Sequence, residues 1–120
     1  MNITEINAVT TLENTHAKLN DARISAITFL QGVEDAQKLH MPDAIRQLRR
    51  SMTLYEVISR RLLSLTRTSF INHYYEDVRT VVNEELKVIR NMFQSVLQSD
   101  NTQFNQHYQR YLTILQERKE

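Results

Sequence analysis

The sequence predicts an all-α fold, an antiparallel up-down-up-down four-helix bundle with a long first helix, in one domain spanning residues 1–120. Three observations point there. The chain has one glycine, Gly32, and one proline, Pro42, whereas a sheet protein needs turn residues about every 8–12 positions. Apolar residues recur at helical spacing through four segments. The breaks between those segments are short, which makes successive helices antiparallel neighbours.

The first segment runs from about Thr4 to Lys38. At about 100° per residue, Val9, Leu12, Leu19, Ala26, Ile27, Leu30 and Val33 fall in one stripe. Gly32 stands near the end of that stripe and costs about 1 kcal/mol against alanine inside a helix. The helix either runs through it or breaks there and folds back. Leu39 to Met41 read as the connection. Pro42 suits the first helical position, where its missing N–H leaves no bond unmade, and Asp43 complements the positive end of the helix dipole.

The second segment, Pro42 to about Thr66, repeats Ile45, Leu48, Met52, Tyr55, Leu62 and Leu63 on one side. A second apolar strip, Leu54, Ile58 and Leu65, lies beside it. So wide a sector implies two neighbours or a partner chain. A polar break at Thr66–Ser69 precedes the third segment, about Ile71 to Leu97, with Tyr75, Val78, Val82, Ile89, Met92 and Val96 inward. Asp100 followed by Gln103 resembles a capping box. It opens the last helix, about Thr102 to Arg118, which carries Phe104, Tyr108, Tyr111, Leu112 and Leu115.

At ~1.5 Å per residue the first helix would be about 50 Å long and the last about 25 Å. If the first helix is continuous, one of its ends lacks cover. Together with the Leu54/Ile58/Leu65 strip, that mismatch suggests self-association as a homodimer or cover by a partner helix.

Four polar residues interrupt the apolar stripes: His16, Arg23, Ser59 and Glu85. A buried charge needs a partner, because desolvation costs several kcal/mol per ion. Arg23 and Glu85 stand near the middles of their helices and are expected to pair, with snorkelling to water and a polar ligand pocket as the alternatives. Glu13 and His16 have the Glu-x-x-His spacing of di-iron bundles, which need two such motifs and two further carboxylates. With only Glu56 and Glu85 leaning inward, no metal is expected. The sequence also lacks a glycine-rich phosphate loop, a cysteine and a serine elbow. No catalytic residue and no cofactor are therefore assigned. No apolar run approaches the ~18 residues of a membrane span, and the polar start is no signal peptide. A cytoplasmic location and no membrane partner are the expectation.

Charge is the most uneven feature. Residues 1–39 carry net −2, 40–68 net +4, 69–100 net −2 and 101–120 net +1. The second helix holds six arginines against Asp43 and Glu56. On the wheel Arg46, Arg49, Arg60 and Arg67 share one sector, flanked by Arg50 and Arg61. The guanidinium fork suits carboxylate and phosphate pairing. Pairing with the acidic neighbouring helices is the first reading of this face. An acidic protein partner is the second, and nucleic acid is less favoured because the net charge is only +1. The function expected is that of a small non-enzymatic protein-interaction module, an adaptor or regulator. The alternative is nucleic-acid or phosphate-ligand binding by the same arginines.

Overall fold

The computed structural model describes the backbone of residues 3–68 and 73–119 and the side chains of residues 10–65 and 75–118. Val9, Arg67, Ile71 and His73 lie outside the described side chains. The described residues form four helices and no strand: α1 (Ile3–Ala36), α2 (Pro42–Thr68), α3 (His73–Leu97) and α4 (Asn101–Lys119). Consecutive helices pack side by side, and α1 also touches α3 across the bundle. The long dimension, 52 Å, is that of α1, at ~1.5 Å per residue. Among the described residues no helix is long and apolar enough to cross a membrane.

The helix ends follow local chemistry. Pro42 opens α2, and the Met41 carbonyl accepts the N–H of Ile45 at 2.8 Å. Gln37 (φ 53°) and Ser99 (φ 55°) turn left-handed just beyond α1 and α3. Beyond α3 the Ser99 N–H donates to Val96 O and the Asp100 N–H to Ser95 O, so two end carbonyls are satisfied. The Asp100 carboxylate then accepts the Gln103 N–H at 3.0 Å and caps α4. His40 Nε2 and Ser99 Oγ, 2.6 Å apart, tie the two connections at this end of the bundle.

The one glycine is spent elsewhere. α1 runs unbroken through Gly32, where a Cβ would stand 3.1 Å from the Cβ of Ala44. Two small residues thus bring α1 and α2 close. Pairing continues at Ser51, whose hydroxyl donates to the Ala22 carbonyl at 2.7 Å. It reaches Thr11 and Thr15, which share a cleft with Ile58 and Arg61. From Thr11 onward α1 is therefore flanked by α2; the side chains of its first residues lie outside those described. Its open side faces α4. No Cα of α1 comes within 8 Å of one of α4, and the rings of Phe29 and Phe104, 5.9 Å apart edge to face, bridge the gap.

Two expectations about apolar faces need correcting. Ile27 is 38% exposed, and Phe29 is the fully buried residue of that turn. The rest of the described stripe faces the core, with Leu19, Ala26 and Leu30 buried and Leu12 and Val33 packed against them, so the single-stripe reading misplaced Ile27 alone. Ile58 is 3% exposed and belongs to the core, with Leu54 and Leu65 partly buried against it. The strip Leu54/Ile58/Leu65 is accordingly no free self-association surface. α2 has two neighbours, α1 and α3, and its wide apolar sector covers both.

Candidate functional site

The α2 arginines make no ion pair with the acidic residues of neighbouring helices among the described residues. Arg46 pairs with Asp43 of its own first turn. Arg49 lies over the Phe93 ring of α3, 5.6 Å from its centre. Arg50, Arg60 and Arg61 are exposed, with no acidic partner among the described residues. The ion pair joining α2 to α3 has the opposite sense, Arg90 to Glu56 at 3.2 Å. The first reading of the basic helix is thereby overturned. α3 supplies carboxylates to α1 and α4 instead, through Arg23–Glu85, Arg110–Glu84 and Arg118–Glu84/Glu85. Among the described arginines of α2, those without an ion pair or ring contact are Arg50, Arg60 and Arg61. Of the sector Arg46, Arg49, Arg60 and Arg67, Arg46 and Arg49 are engaged, Arg60 is not, and Arg67 lies outside the described side chains.

At the bundle centre a single carboxylate gathers donors from the other three helices. Glu85 of α3 has no exposed surface. Arg23 of α1 grips it with two bonds, Nε to Oε1 at 2.8 Å and Nη2 to Oε2 at 2.7 Å. The Tyr55 hydroxyl of α2 donates to Oε1 at 2.7 Å, and Arg118 Nε of α4 donates to Oε2 at 3.3 Å. Tyr111 O–H lies 2.8 Å from the Tyr55 oxygen. Tyr55 has one proton and spends it on the carboxylate, so Tyr111 donates to Tyr55. Burial pushes both phenols well above the ordinary tyrosine value. The Glu85 hydrogen bond raises the Arg23 guanidinium above its usual value, against the opposing effect of burial. The Glu85 carboxylate, the Arg23 fork and both phenols find hydrogen-bond partners, which is what lets an ionised group sit in a core. Arg118 Nη2 is buried without a hydrogen bond and lies 3.3 Å from Glu84 Oε2 as an ion pair.

Of the four polar residues singled out in the stripes, Arg23 and Glu85 meet here. Ser59 is half-buried and donates to Asn83 Oδ1 at 2.5 Å, an α2–α3 link. His16 is exposed and does not belong to the polar core; it lies on the rim of a cleft shared with Arg23, Arg118 and Asp77. Tyr55 and Tyr111 are buried as their apolar stripes predict, but the sequence did not assign them, or Arg118, to this cluster. The signal was present in the choice of tyrosine over phenylalanine at two mid-helix core positions. Glu13 is exposed like His16, and the described residues hold no group of three or more potential metal ligands.

Lys18 and Arg61 flank a cleft of about 430 Å³ between α1 and α2, floored in part by Thr15 and Ile58. Comparison of the chain with protein-family models, with curated proteins and with solved structures returns no match.

Proposed function

We propose that this bundle is a small non-enzymatic interaction module that docks an acidic protein through the arginine-rich face of α2. The observation that carries the reading is the position of Arg50, Arg60 and Arg61. They are exposed and lack acidic partners among the described residues, while carboxylates of the fold are engaged with other arginines. Three unneutralised guanidinium groups on one helix repel one another in the free protein, and an acidic surface relieves that repulsion. The hydrogen-bonded centre acts as scaffold: Glu85 holds all four helices, so the arginines project from a rigid support.

The test is affinity capture from extract of the native host, with and without nuclease treatment, comparing the wild type with an Arg50→Glu/Arg60→Glu variant. A protein retained by the wild type and lost by the variant is the expected result. Equal retention by both overturns the reading. Capture that vanishes with nuclease treatment, with steep loss from about 50 to 200 mM salt, favours a nucleic-acid backbone instead.

A further inference from the structure

The α1–α2 cleft combines three properties. Its charge is of one sign: Lys18 on α1 and Arg61 on α2 line it, and no carboxylate does among the described residues. Neither cation has an ion pair among the described residues, whereas Arg23, Arg90, Arg110 and Arg118 all do. Its floor is partly apolar, with Ile58 buried beneath and Val57 left 40% exposed at the wall. Finally, no aromatic residue lines it among the described residues.

These properties select among anionic occupants. A concave site lined by like charges focuses its field and concentrates anions. A nucleic-acid strand would satisfy Lys18 and Arg61 but find no ring on which to stack a base. It would also leave Val57 in contact with water. A peptide segment with an acidic side chain beside an aliphatic one satisfies both the cations and the apolar wall. The volume, about 430 Å³, falls in the range of sites that take a few side chains.

We infer that this cleft grips the acidic partner by seating one carboxylate between Lys18 and Arg61 and a neighbouring leucine- or isoleucine-sized side chain on Val57 and Ile58. The inference rests on the acidic-partner reading above, since Arg61 belongs to the same arginine-rich helix. It assigns that reading a site and a ligand chemistry.

The full chain, isotope-labelled, is titrated with a short capped peptide bearing alternating glutamate and leucine and followed by amide chemical shifts. The expected shifts concentrate in residues 11–18 and 57–61. Lys18→Ala and Arg61→Ala should each weaken binding about tenfold, the loss of one charge-assisted hydrogen bond. Lys87→Ala, an exposed cation of α3 away from the cleft, should leave it unchanged. Glutamine in place of glutamate, and serine in place of leucine, should each weaken the peptide. Melting curves check that the exposed-site variants fold.

Shifts that map elsewhere overturn the assignment, as does unchanged affinity in both cleft variants or no binding at all. Tighter binding of oligothymidylate than of the peptide overturns it in favour of nucleic acid. The outcome is separable from the broader reading. If the cleft variants bind normally while Arg50→Glu/Arg60→Glu still loses its captured partner, only the cleft assignment falls.

Discussion

Glu85 shows how far a single residue can be read before its neighbours are known. Its charge inside an apolar stripe marked it for pairing, and Arg23 at the middle of another helix was the natural partner. The bidentate contact between them has both bonds under 3 Å. What could not be read was the rest of the circle. Tyr55 and Tyr111 lie 30 and 26 positions from Glu85, and in a helical stripe tyrosine passes for ordinary core filler. Arg118 sits near the end of a charged tail, where solvation is the default expectation. Glu85→Gln should destabilise the protein by about 3–5 kcal/mol, because the half-buried Arg23 guanidinium loses its counter-charge while Arg118 keeps only Glu84. Denaturant unfolding measures it. A loss typical of a surface change would show that water already screens the pair.

At the scale of the element, periodicity and punctuation located all four helices to within a few residues. Pro42, Asp43 and Asp100 act where their chemistry suggests, the last as a cap. The spacing of apolar residues does not say which of two neighbours a wide sector faces. That ambiguity made Ile58 look like surface and hid Phe29. Ile58→Ala should therefore cost about 2–5 kcal/mol as a core truncation, and the loss should be independent of protein concentration in melting experiments. Gly32 carries the opposite lesson. Its use lies in the approach of α1 to Ala44 and not in backbone freedom, since α1 is helical through it. Gly32→Val drives a branched side chain into α2 and should lower stability by about 1–3 kcal/mol, seen as a drop in Tm with the helical circular dichroism retained.

For the whole molecule, net charge by segment was legible but its use was not. Opposite totals on adjacent segments suggest pairing, yet pairing is decided by which face of each helix the charges occupy. α2 turns its arginines outward while α3 keeps Glu85 at the centre. That arrangement also sets the response to alkali. Tyr55 and Tyr111 have phenols raised above the ordinary value, chiefly by burial. Below pH about 10 both folded and unfolded chains hold these protons. Above it the unfolded chain releases them while the folded one does not, so stability falls as pH rises. Tm measured against pH should stay level toward pH about 9 and then decline. The Tyr55→Phe/Tyr111→Phe variant should decline less steeply.

The meeting of all four helices on Glu85 has a consequence for how this protein tolerates change. The cost of altering any one of Arg23, Tyr55, Glu85, Tyr111 and Arg118 depends on what occupies the other four. Removing the carboxylate alone strands Arg23 and leaves Arg118 with Glu84 only. Removing it together with both arginines, in favour of apolar groups of like volume, costs far less than the separate losses added together. Single steps away from the present set are uphill, and concerted ones are nearly level. These five positions are free to vary only as a group.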